Sequence, residues 1–184
     1  MNIDSTIKKY DFSNIITQTD TEQTCDIVKQ IIESGNYFDN SPKYQTKENL
    51  FARQEAVWLK YRMSFLFACF MYLGRETKVK GINCWSFMTK QDDNQDRQQL
   101  WHHHHHDLTS DKLSGIMYLR IPDDVTNFDE SGTEFTLSDP EKNESFFVKP
   151  EYFTWVIYPS KVWHRPGICP SNTNRFVLAA DMEF

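Results

Sequence analysis

A chain of 184 residues is long enough to bury one ordinary core and too short for two comfortable ones, so a single domain over 1–184 is expected. Its formal net charge is −6, and the acidic excess is confined to one half: residues 1–100 carry 13 basic and 13 acidic side chains, residues 101–184 carry 7 and 13. Such a surface repels nucleic acid and anionic membranes on average, which argues against both as partners.

The four cysteines, Cys25, Cys69, Cys84 and Cys169, form no CxxC pair and no short-range cluster. A zinc ribbon or a disulfide scaffold is therefore not expected, and isolated thiols point to a reducing compartment. The amino-terminal stretch MNIDSTIKKYDFSN has no apolar segment of signal-peptide type, and the longest apolar run, Met63 to Leu73 broken by Ser64, is 11 residues and too short to span a bilayer. A cytoplasmic protein is the expectation.

In chain order, Thr19 and Glu22 have capping-box spacing, and Ile27, Val28, Ile31 and Ile32 follow at helical period, which predicts a first helix ending at Gly35. After a polar loop at Asn40-Ser41-Pro42, a longer helix is predicted from about Lys47 to Leu73, with Trp58, Tyr61, Phe65, Cys69 and Tyr72 on one stripe and Gly74 as its stop. From Lys80 the pattern changes to short β-branched and aromatic segments separated by Gly, Pro, Asp and Asn. Strands are predicted at 82–89, 100–107, 114–121, 133–137, 145–149, 154–158 and 175–183, with Gln91 to Gln99 as a polar, mobile loop. Residues 1–79 thus read as a helical support for a β-rich part over 80–184. The fold class predicted is mostly β (α+β), an antiparallel barrel or jelly roll backed by N-terminal helices.

The chemistry is expected at His102 to His106 and Asp107. An oligohistidine tract is often a tag or a solvated surface run, but this one lies between Trp101 and an apolar strand pattern. On a strand, period 2 places His103, His105 and Asp107 on one face and His102, His104 and His106 on the other. His105 and Asp107 then present an imidazole and a carboxylate side by side, and one distant histidine completes a two-histidine, one-carboxylate facial triad of the kind that suits Fe(II). His164 is the only histidine outside the run, so His105, Asp107 and His164 are the predicted catalytic metal ligands. Arg175 opens an otherwise apolar strand, where a guanidinium calls for a buried anion such as a carboxylate.

The ordered set His105-His106-Asp107, Leu113 to Leu119 (LSGIMYL), Gly132-Thr133-Glu134-Phe135, Val148-Lys149-Pro150, Tyr158-Pro159-Ser160, His164 and Arg175 resembles the 2-oxoglutarate/Fe(II)-dependent oxygenases, in particular their prolyl-hydroxylase-like branch. The resemblance spans roughly residues 80–184. It implies a double-stranded β-helix of cupin-like type, with Fe(II) on His105, Asp107 and His164 and with 2-oxoglutarate as co-substrate, its far carboxylate held by Arg175 and Tyr118. It further implies a dioxygenase that hydroxylates a C–H bond and releases succinate and CO2, with O2 as reactant, a prolyl, protein, peptide or small-molecule substrate, and ascorbate as an auxiliary reductant. The alternative is a cupin-like metal-binding domain that is non-catalytic or of other chemistry. Two departures stand out: the five-histidine tract, in which His103 could be a support, an alternative ligand or a substrate contact, and Pro150 to Thr154, which lacks the glycine common after the VKP element. Trp101, Trp155, Trp163 and Phe87 are candidates to wall a substrate cavity, although aromatic residues on strands are more often core.

Overall fold

The computed structural model describes residues 6–40, 43–89, 100–104, 111–125, 127–141, 144–169, 171 and 173–184. Among the described residues, ten strands form two antiparallel sheets. The larger runs β1 (Lys8–Asp11), β8 (Thr154–Pro159), β5 (Lys112–Arg120), β10 (Arg175–Glu183), β4 (Gly81–Thr89), β3 (Lys43–Thr46) and β2 (Tyr37–Asn40). The smaller runs β7 (Phe146–Val148), β6 (Thr133–Thr136) and β9 (Trp163–Pro166). With two helices, α1 (Gln18–Glu33) and α2 (Ala56–Leu73), packed on the larger sheet, the molecule is a jelly roll, mostly β as its strand pattern predicts.

Local chemistry explains where the helices begin. The capping box on α1 is Thr17 with Asp20, two residues before the pair predicted: the Asp20 backbone N–H donates to Thr17 Oγ1 at 3.2 Å, and the Thr17 N–H donates to Asp20 Oδ2 at 2.8 Å. Asp20 is preferred to Glu22 because it also meets the Lys60 ammonium of α2 at 2.8 Å, tying the helices together. The second helix starts later than Lys47 because the Asn49 amide is used elsewhere. It accepts from the Phe51 and Cys84 N–H groups and donates to the Ile82 carbonyl, which pins a short 3-10 turn (Leu50–Ala52) against β4. Gly74 ends α2 as expected, in the left-handed conformation at φ 68°.

Period 2 gives the large sheet two different faces. On one, Phe176, Leu178, Ala180 and Met182 of β10, Met117 and Leu119 of β5, Trp155 and Ile157 of β8 and Cys84 and Met88 of β4 pack with Trp58, Tyr61, Phe65 and Cys69 of α2 and Val28 and Ile32 of α1. Phe65 approaches so closely that a Cβ on Gly115 would lie 2.6 Å from its ring, so β5 needs glycine there. The other face, with Ile116, Tyr118, Val156 and Tyr158, looks toward the small sheet, where Phe135 is fully buried.

Strands β1, β2, β3 and β9 were not foreseen from sequence. β1 and β2 are four-residue edge strands, and β3 pairs with β4 only over Lys43 to Gln45, so none of them carries a full buried face. The predicted strand at 100–107 is corrected over its described part: residues 100–104 form no regular strand and touch β9 through one bridge, His102 to His164. The predicted loop at 91–99 lies outside the described residues.

In the stretch Pro150 to Thr154, which contains no glycine, Phe153 takes the left-handed conformation at φ 58°. A non-glycine residue pays for this with about 1 kcal/mol of steric strain, and here the Phe153 ring packs on the helix-side core while its carbonyl accepts the Phe12 N–H at 2.9 Å. The four thiols are unjoined, and burial pushes the Cys25 thiol up to about 12. Among the described residues no helix is long and apolar enough to cross a membrane.

Candidate metal centre and pocket

Three imidazoles meet between the two sheets. His164 comes from β9, and the backbones of His102 and His164 exchange hydrogen bonds at 2.9 and 3.1 Å, which draws His102 against that strand. The His104 N–H donates to the Ser160 carbonyl at 2.9 Å. One ring nitrogen each of His102, His104 and His164 therefore lies within 4.8 Å of the others. Metal–imidazole bonds of about 2.1 Å place neighbouring donors some 3 Å apart, so a small inward shift of the rings closes the set around one cation.

The hydrogen bonds of the rings define which nitrogen is the donor to a metal. His164 Nδ1 is 3.1 Å from the Val162 carbonyl, His102 Nδ1 is 3.2 Å from the Leu100 carbonyl, and His104 Nδ1 is 2.9 Å from Asp181 Oδ1. A carbonyl or an ionised carboxylate can only accept, so each Nδ1 carries the proton and each neutral ring has its lone pair on Nε2. The Tyr158 hydroxyl, 3.2 Å from His164 Nε2, agrees with this tautomer. Burial holds the Tyr158 phenol well above its ordinary pKa, so it remains a neutral donor.

The cavity beside these rings is lined by Phe87, Ile116, Tyr118, Val177 and Ala179 and reaches Arg175, with about 520 Å³ of space including its open mouth. Arg175 is 5% exposed. One terminal nitrogen donates to the Ser131 carbonyl at 2.5 Å and the Gly167 carbonyl at 3.2 Å, and its Nε is buried without a hydrogen-bond partner among the described residues. Those carbonyls are presented by two loops in very close contact: a Cβ on Gly167 would lie 1.9 Å from the Glu130 carbonyl oxygen, so only glycine fits. Next to the guanidinium, Tyr118 is 2.7 Å from Thr133 Oγ1; burial raises its phenol pKa against the pull of Arg175, so it too stays protonated. An orphaned N–H on a buried cation, beside a neutral phenol, fits a carboxylate ligand.

Of the predicted site residues, His164, Tyr118 and Arg175 share this cavity. His105 and Asp107 lie outside the described residues. His102 and His104, which were not chosen from sequence, lie with His164, while His103 turns its ring to Trp163 at 4.5 Å. Asp181 was missed, although the spacing Arg175, Val177, Ala179, Asp181 puts it on the pocket face of β10. Of the aromatic candidates, Phe87 lines the cavity, Trp155 is core and donates to Ser64 Oγ at 2.9 Å, and Trp101 stacks under the Arg165 guanidinium.

No protein-family model matches the chain, and no curated protein matches it in sequence. Solved structures with the same fold include a Pseudomonas putida prolyl-4-hydroxylase, with 11% identity and a TM-score of 0.66 over 97% of this chain and 92% of that one. A Trichoplax adhaerens prolyl hydroxylase in complex with a hypoxia inducible factor peptide aligns with 12% identity and a TM-score of 0.66, over 97% and 84%. The non-heme alpha ketoglutarate dependent carbocyclase SnoK from nogalamycin biosynthesis aligns with 8% identity and a TM-score of 0.70, over 96% and 79%. At these identities the likeness is one of fold.

Proposed function

We propose that the protein is a dioxygenase dependent on Fe(II) and 2-oxoglutarate that hydroxylates a C–H bond, releasing succinate and CO2, with a prolyl or other protein or amino-acid side chain as the favoured substrate class. The observation that carries this reading is one cavity with three convergent imidazoles at one side and a buried guanidinium with an orphaned N–H at another. A metal-binding domain of unrelated chemistry has no use for that second feature, whereas a dicarboxylate co-substrate needs both. The fold shared with prolyl hydroxylases and a ketoglutarate-dependent carbocyclase supports the same class.

Bound iron would supply oxygen activation and open coordination positions for the co-substrate. The chain's own residues do the rest: Arg175 and Tyr118 grip the far carboxylate, Val177, Ala179 and Ile116 wall the cavity against water, and His102, His104 and His164 offer their Nε2 atoms. The sequence-derived ligand set, with His105 and Asp107 in place of His102 and His104, is the competing assignment.

Succinate formation from 2-oxoglutarate, with Fe(II), O2 and ascorbate supplied and panels of peptides and amino acids as substrates, tests the activity. Its absence under every condition would overturn the enzyme reading in favour of a binding domain, which the all-imidazole donor set otherwise suits, since such sets also hold zinc, copper and nickel. Cobalt(II) titration of alanine variants separates the ligand sets. Loss at His102, His104 and His164 with retention at His105 and Asp107 is expected, whereas loss at His105, Asp107 and His164 with retention at His102 and His104 establishes the sequence-derived triad.

A further inference from the structure

The carboxylate of Asp181 is aimed at the metal centre but meets it through an imidazole. Asp181 Oδ1 lies 2.9 Å from His104 Nδ1 and accepts from Ser114 Oγ at 2.6 Å. Ser114 Oγ is in turn 2.8 Å from Ser160 Oγ, both serines are buried, and the Ser160 carbonyl holds the His104 backbone. The register makes this possible, because Asp181 on β10 sits directly opposite Ser114 on β5. His104 is thus clamped at its ring and its backbone by groups from three different segments.

We infer that Asp181 is a positioning residue for the proposed metal centre, fixing the plane and tautomer of His104 so that Nε2 is its ligating nitrogen. The inference rests on the metal-centre reading above. The His104 ring is held by a carboxylate, Asp181 Oδ1, at 2.9 Å. An ionised acceptor makes the stronger hydrogen bond and strengthens the imidazole as a donor. Asp181 thus sets a carboxylate one imidazole away from the proposed centre, and the Ser114 hydroxyl holds its Oδ1 at 2.6 Å. Asp181 also continues the inward row of β10 that begins at Arg175, so the same strand face serves the anion anchor at one end and the metal centre at the other.

The test is competition of the whole chain against a chelator for cobalt(II), with the cobalt d–d absorption spectrum and the melting temperature of the metal-free protein recorded alongside. Asp181→Ala is expected to weaken cobalt binding roughly 10- to 100-fold and alter the spectrum without lowering the metal-free melting temperature, the usual scale for an outer partner of a metal histidine. Asp181→Asn, which keeps the shape and an acceptor oxygen, should recover part of the affinity. Wild-type affinity and spectrum in both variants, with His164→Ala unable to bind, would overturn the positioning role and leave the metal centre standing. Loss in Asp181→Ala as complete as in His164→Ala would make Asp181 a ligand and also overturn it. Wild-type binding by His164→Ala would remove the metal centre, and this inference with it.

Discussion

The two faces of the seven-stranded sheet are built from the same strands and obey different rules. Toward the helices, β10 presents Phe176, Leu178, Ala180 and Met182, all buried among apolar neighbours. Toward the cavity it presents Arg175, Val177, Ala179 and Asp181, a cation and an anion separated by two small residues. The first face is chosen by the free energy of burying apolar area and by close packing, which tolerate no space. The second borders open space and holds a cation, an anion and imidazoles, groups that are buried only where they find polar partners. The packing core and the candidate site are therefore separated along these strands by residue parity.

Three variants break or sharpen that separation. The largest effect is expected from Phe65→Ala, since Phe65 is fully buried with its ring 5.0 Å from Trp155 and 5.9 Å from Phe51. It should cost about 3–5 kcal/mol in urea denaturation. Cobalt affinity of the folded fraction should be unchanged; a parallel loss would mean that the two faces are mechanically coupled. Next is Arg175→Lys, which keeps a charge on the cavity face and removes the planar fork and the buried Nε. Affinity for 2-oxoglutarate, read by calorimetry on the metal-loaded protein, should fall about 10- to 100-fold, the equivalent of one charge-assisted hydrogen bond. Unchanged affinity would place the co-substrate elsewhere.

The smallest effect belongs to the helix side. Burial opposes ionisation of Asp20, but hydrogen bonds from Lys60 and Thr17 outweigh it and hold the carboxyl below its ordinary value. A depressed folded-state pKa contributes stability above the unfolded value and loses it as the pH falls through the folded one. Asp20→Asn should therefore cost about 1 kcal/mol near neutrality, the scale of a partly exposed ion pair, here with Lys60, at a helix N-terminus. The gap to wild type should narrow in acid, below the normal carboxylate range, and a gap that is flat with pH would show that the charge plays no part.

How much was legible in advance depends on the length of the signal. Long strands with a buried face, such as β4, β5 and β10, were read within one or two residues of their ends, as was the Gly74 stop. Short edge strands and the capping box were not, because pairing partners and the Lys60 contact with Asp20 come from distant parts of the chain. At the site, His164, Arg175 and Tyr118 were chosen from sequence and lie in one cavity with His102 and His104, while His105 and Asp107 lie outside the described residues.

The amino-acid order by itself determined that two helices are followed by the long strands of two-residue period, that histidines cluster near residue 104 with a single distant one at 164, and that an arginine heads the last strand. It also contained the parity that separates His103 from His102 and His104. Only the tertiary structure brought His102 and His104 to His164, through the backbone bonds from His102 to β9 and from His104 to Ser160. It likewise decided that the acidic residue near the end of β10 meets a histidine 77 positions away. Periodicity is a local property of the chain, whereas the direction in which a face points is set by what packs behind it.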